Sequence, residues 1–199
     1  GIYAITDVGN VSVYNSGAMT VYSGLAGVGI AAISQTGDVE VLNAGNIAVD
    51  AHFYAAGIVA SSEYGSAYVA NSGDFNITAV GLAIGIQADA AYDATVFNLG
   101  DISVYSELSY AGGIFSESNS GDAYVASQGN ITATGYTYAG GILASADYGT
   151  ATVFNSGIIS VSALQDSFGI SAEAEYDVFV ANSGSITATA VDGSSTGIN

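Results

Sequence analysis

The sequence predicts an all-β fold, a parallel right-handed β-helix, and three observations predict it. Gly-Ile recurs at Gly1, Gly29, Gly57, Gly85, Gly113, Gly141, Gly169 and Gly197, always 28 residues apart. A second glycine, most often in Asn-x-Gly, runs in parallel at Gly17, Gly45, Gly73, Gly100, Gly129, Gly157 and Gly184. Between these glycines apolar residues alternate with period two, the signature of strands rather than helices. Self-similarity at such a period marks a solenoid, in which each unit buries its apolar face only against its neighbours. Residues 1–199 are therefore expected to form one β-solenoid segment. Its seven coils start at 1, 29, 57, 85, 113, 141 and 169, and an eighth opens at 197.

The sixth coil, GILASADYGTATVFNSGIISVSALQDSF, shows the expected layout of about three short strands. Ile142, Ala144 and Ala146 alternate inward, and a turn follows at Asp147-Tyr148-Gly149. Ala151, Val153 and Asn155 then point in, with Thr152 and Phe154 out. After the Ser156-Gly157 corner, Ile159, Val161 and Ala163 point in, with Ser160 and Ser162 out. A looser turn from Leu164 to Phe168 closes the coil. Gly157 is expected to supply backbone freedom for a tight corner. Coils stack at about 4.8 Å, so seven make a rod roughly 34 Å long. Right-handed winding is the default for parallel crossovers.

The inward asparagine predicts a ladder of stacked corner amides: Asn15, Asn43, Asn71, Asn98, Asn155 and Asn182, with Ser127 as a shorter substitute in coil five. Coils four and seven lose one residue at the first corner and regain it later, so the 28-residue total survives. The array begins in phase at Gly1 and shows no polar cap at either end, the pattern expected of a segment of a longer array.

Composition excludes several roles. The chain has no Lys, Arg, Pro, Cys or Trp, and a formal net charge of −18. Phosphate binding depends on Lys and Arg releasing counterions, so nucleic acid is not an expected partner, and anionic lipid headgroups are equally disfavoured. No apolar run is long enough to span a bilayer, so membrane insertion of this segment is not expected. Without cysteine there are neither disulfides nor thiolate metal sites.

The GIxAxA…AxVxNSGxIxV units, in a Cys-free chain rich in Gly and Asn, resemble the β-helical repeat regions of bacterial autotransporter passengers and large surface adhesins. The resemblance covers all seven coils. It implies export to the bacterial cell surface, with the rod as stalk or adhesive shaft of an extracellular fibre.

Chemistry must come from outward residues. Parallel β-helices also host polysaccharide lyases and hydrolases, but a lyase commonly needs Arg or Lys, and no cluster of special residues interrupts the repeat. The lone histidine, His52, sits in a variable turn beside Phe53 and Tyr54, as a surface residue would. No enzymatic role is expected. Calcium is the candidate ligand. Asp89, Glu117 and Glu173 share one outward position, with Ser145 between the last two. Asp7, Glu63, Asp147 and Glu175 form a second file with Asn119. Carboxylates one coil apart repel, and a hard cation would relieve that repulsion. The bland alternative is a solvated acidic face that keeps the fibre soluble.

The second strand's outer face is the most informative surface. Its two outward positions read Tyr68/Ala70, Thr95/Phe97, Tyr124/Ala126, Thr152/Phe154 and Phe179/Ala181, so the rings should interlock in a zigzag. An uncharged aromatic patch this long points to a partner. One candidate is other copies of the rod, bound laterally or end to end; the other is carbohydrate, such as surface glycans. The third strand carries Ser103, Thr132, Ser160 and Thr187 beside Tyr105, Thr134, Ser162 and Thr189, files that raise ice as an alternative ligand. Tyr22, Asp50 and Tyr105 interrupt that grid. The sequons at Asn76 and Asn130 are taken as accidental.

Overall fold

A computed structural model describes all of residues 1–199. Strands alternate with short corners along the whole chain, which contains no helix. They assemble into three parallel sheets that run the length of a rod. Sheet A has eight strands, from Ile2–Thr6 to Ser195–Ile198. Sheet B has seven, from Val11–Asn15 to Val178–Asn182, and sheet C seven, from Met19–Ser23 to Ile186–Ala190. Each strand pairs with the equivalent strand one coil away, as in Ile142 with Ile170, Val153 with Val180 and Ile159 with Ile186. The expected parallel β-solenoid, with three strands per coil, is the observed fold.

In-register pairing stacks like on like, and this builds the core. Sheet A contributes Ile30, Ile58, Ile86, Ile114, Ile142 and Ile170, all fully buried. Sheet B contributes a valine column through Val41, Val69, Val96, Val125 and Val153. Sheet C adds Ile47, Phe75, Ile102, Ile131 and Ile159. Each fully buried side chain of this size contributes about 1.5–3 kcal/mol. The first and last coils lack a neighbour on one side, so Ile2, Met19, Val180 and Ile186 are only half-buried.

Two expectations need correction. The sheet A strand is not short. It spans nine residues in the middle coils, Tyr138–Ala146 and Asp166–Ala174 among them, so most of the looser turn at Leu164–Phe168 belongs to a strand. Its inward alternation changes phase at the Gly-Ile pair, because Ala139, Ile142, Ala144 and Ala146 all reach the core. The phase change turns the glycine inward as well, where a Cβ on Gly141 would lie 2.6 Å from Ile159 Cγ2.

The corner glycines also act through space rather than conformational freedom. Only Gly9, at φ 103°, has a left-handed backbone. A Cβ on Gly157 would instead overlap the carbonyl oxygen of Gly129 in the coil below, and the same holds up the column. The corners are stacked as closely as the strands, with Ser156 N–H donating to Ser127 O at 2.9 Å.

The one-residue exchange occurs as expected. Ala94 pairs with Ala67, 27 residues earlier, and with Ala123, 29 later, while Ala90 keeps a spacing of 28 to Ser62 and Ser118.

Candidate functional site

Sheet B places the five predicted rings on one face. Tyr68, Thr95, Tyr124, Thr152 and Phe179 align in one outward column, and Ala70, Phe97, Ala126, Phe154 and Ala181 in the other. Consecutive rings alternate between the columns. Their centroids lie 5.8, 5.4, 5.9 and 5.4 Å apart from Tyr68 to Phe179, with planes tilted by 45–50°. Each such pair contributes about 0.5–1.5 kcal/mol beyond its buried area. The ladder stays partly open to solvent, with Tyr68, Phe97, Phe154 and Phe179 36–51% exposed and Tyr124 half-buried between its neighbours. The alternation fails only in the first two coils, where Tyr14 and Leu42 share a column. There the Tyr14 hydroxyl donates to Glu40 Oε2 at 2.9 Å. That hydrogen bond and the Glu40 charge hold the Tyr14 phenol above its ordinary pKa.

Two grooves flank the ladder where it meets the corner. One, of about 500 Å³, lies over Ala70 between Leu42, Tyr14 and Phe97. The other, of about 540 Å³, lies over Ala126 and Ala181 beside Phe154.

Behind this face runs the asparagine ladder. Asn15 Nδ2 donates to Asn43 Oδ1 at 2.7 Å, Asn43 to Asn71 at 2.7 Å, and Asn71 to Asn98 at 2.8 Å. Asn98 reaches the Ser127 hydroxyl at 3.3 Å. Each amide also donates to the carbonyl of the glycine two residues on, as Asn155 does to Gly157 at 2.8 Å. The ladder resumes with Asn155 donating to Asn182 at 2.7 Å. Between Ser127 and Asn155 it breaks, because the serine is too short, and the buried Asn155 Oδ1 has no donor.

A second ladder, missed in the sequence, runs outside the same corner. Asn46, Asp74, Asp101 and Asn130 each accept, through Oδ1, the backbone N–H of the next coil's corner at 2.8–3.0 Å, the last from Ile158. Another climbs the corner between sheets A and B through Asn10, Asp38, Ser66, Asp93 and Asp122. The signal was present: Gly-Asn or Gly-Asp directly precedes a strand in Gly37-Asp38-Val39, Gly73-Asp74-Phe75 and Gly100-Asp101-Ile102. These acidic residues receive backbone hydrogen bonds and are fixed parts of the corners.

The candidate calcium residues are distributed over sheet A and its corner. Asp89 pairs directly with Glu117, while Ser145 separates Glu117 from Glu173. Asp7, Glu63, Asp89 and Glu117 line a groove of about 530 Å³. Asp147 and Glu175 sit in the next file at the strand ends. Nowhere do three or more His, Asp or Glu side chains converge as a metal ion requires. Burial pushes the Asp89 carboxyl above its usual range, against a hydrogen bond from Gln87 at 2.8 Å that lowers it. Glu117 is raised by burial, then by the charges of Asp89 and Asp147. Burial, then Asp89, raises the Tyr54 phenol; burial, then Glu117, raises Tyr110.

The Ser/Thr files of sheet C align in register, with Tyr22, Asp50 and Tyr105 standing in them as the sequence indicated. His52 is exposed and meets Phe53 edge-on at 4.7 Å. No family model, curated protein or solved structure matches the chain.

Proposed function

We propose that this chain is a structural and adhesive segment of an extracellular bacterial surface fibre, and that it associates laterally with copies of itself through sheet B. The observation that carries the reading is the exposed five-ring ladder from Tyr68 to Phe179. Solenoid stacking supplies length, and the resemblance of the repeats to surface adhesins supports the cell-surface location. The absence of Lys and Arg leaves no site for trypsin-like proteases, which suits an exposed rod. The reading assigns no reaction and no required cofactor, and calcium stays a secondary proposal for the Asp89–Glu117 pair.

Lateral assembly should be concentration-dependent in sedimentation. Replacing Phe97, Tyr124 and Phe154 together by Ser is expected to abolish it while leaving the β-type circular dichroism intact. Unchanged assembly of the triple variant would overturn the reading. A glycan ligand is the second reading, favoured by the groove in which Tyr14, Leu42 and Phe97 adjoin the hydroxyls of Ser16 and Ser72. Binding of monomeric rods to immobilised glycans, lost in the same variant, would select it.

A further inference from the structure

Within each of coils three to seven, one outward residue of sheet B is a ring and the other is Ala or Thr. The side that carries the ring switches at every coil. This pattern is self-complementary in only some orientations, which constrains how two copies meet. A two-fold axis parallel to the rod sets one column of a copy opposite the other column of its partner, at the same coil. Tyr68 then faces Ala70, Phe97 faces Thr95, Tyr124 faces Ala126, Phe154 faces Thr152, and Phe179 faces Ala181. All five rings meet small residues. A two-fold axis across the rod sets each column against itself in reverse order. Rings then meet rings, unless the copies slip by an odd number of coils, which leaves at least one ring of each copy unmatched.

We infer that two copies pair in parallel and in register through sheet B, each ring seating over the Ala or Thr beside its own counterpart. This rests on the lateral association proposed above and adds its geometry. Grooves lie over the three alanines that the pairing sets opposite rings. The one over Ala70 receives Tyr68 of the second copy, and the one over Ala126 and Ala181 receives Tyr124 and Phe179. Charge disfavours sheet A, and the rings distinguish sheet B from the hydroxyl-lined sheet C, which also carries one carboxylate, Asp50. With 18 Asp and Glu and no Lys or Arg, two rods repel, and the outward columns of sheet B carry a single carboxylate, Glu40, already bonded to Tyr14. Sheet A presents Asp89, Glu117 and Glu173 instead. An apolar contact between like-charged rods strengthens as salt screens the repulsion, unlike an ion-paired one. Five coils span only about 24 Å, below the size of a standard interface, so pairing at this length is weak and grows with coil number.

The cysteine-free chain allows a clean test. Nitroxide labels are placed singly at Ser16→Cys, in the first coil, and at Ser183→Cys, in the seventh, and dipolar distances are read at about 1 mM protein, where even a small interface populates. Parallel in-register pairing gives a short distance in each singly labelled sample. Mixing the two adds only a longer distance, displaced by six coils or about 29 Å along the rod. A short distance only in the mixed sample means antiparallel packing, which overturns this inference and leaves lateral association standing. No intermolecular distance in any sample overturns both. Ala126→Phe fills one notch from outside the core and is expected to weaken dimerisation about ten-fold or more with unchanged circular dichroism. Wild-type dimerisation by a folded Ala126→Phe rod would also overturn the inference.

Discussion

The corner between sheets B and C carries two side-chain ladders, one inside and one outside, and their gaps do not coincide. The inner amides bridge coils one to five, miss the junction of five and six, and resume between six and seven. The outer Asx side chains bridge coils two to six and stop at Ile158, which offers no acceptor. Every junction therefore keeps at least one rung. Inner rungs are buried, where an unmet polar group is costly, whereas outer rungs can exchange with water. The same hydrogen-bond requirement is met twice, with very different penalties for failure.

Removing an intact inner rung breaks this comparison most severely. Asn71 donates to Asn98 and Gly73 and accepts from Asn43, so Asn71→Ala should cost about 1–3 kcal/mol in chemical denaturation. Asn155→Ala should cost less, because its Oδ1 has no donor to lose. Equal losses would mean that the ladder is not the source of the stability.

The junction of coils five and six gives a finer test. Asn130→Ala removes the only side-chain rung of the corner between sheets B and C at this junction and should cost about 1 kcal/mol, more than Asp74→Ala where the inner ladder is intact. Ser127→Asn is expected to stabilise by a similar amount by giving Asn155 Oδ1 a donor. In that background the penalty of Asn130→Ala should shrink, and a double-mutant cycle measures the coupling. A cycle with no coupling would show that the two ladders act independently.

The smallest effect separates these corner carboxylates from the face of sheet A. Asp89 and Glu117 have raised pKa values when folded, so between their ordinary and raised values the folded chain binds more protons than the unfolded one. Stability then falls as pH rises through that window and recovers on acidification. Asp89→Asn should raise the neutral-pH melting temperature slightly and flatten its pH slope, since the Asp89 charge also raises Glu117. An unchanged slope would remove the pair as its cause.

Much of this architecture was legible in the sequence because in-register stacking repeats one local pattern seven times. The coil length, the inward residues, the amide ladder with its Ser127 break and the zigzag of rings all follow from period two and the 28-residue phase. The nine-residue strand was not legible, because Ala139 and Ile142 lie in opposite phases of a simple alternation and only the Gly141 backbone reconciles them. The role of Gly157 was misjudged for a related reason: a sequence displays a missing Cβ but not the carbonyl lying where it would be. The outer Asx ladder was overlooked because Asp before a strand also reads as plain surface charge. Its acceptor geometry exists only once the coils are stacked.

The alternation of rings between columns has a mechanical consequence for a fibre. Sliding one parallel rod along another by a single coil would drive Tyr68 onto Phe97, whereas sliding by two coils returns the rings that still overlap within coils three to seven to small residues. Two such rods behave as a ratchet with a tooth of two coils, about 9.6 Å. Axial offsets between neighbours in a bundle would then be quantised in that step, whatever the length of the rods.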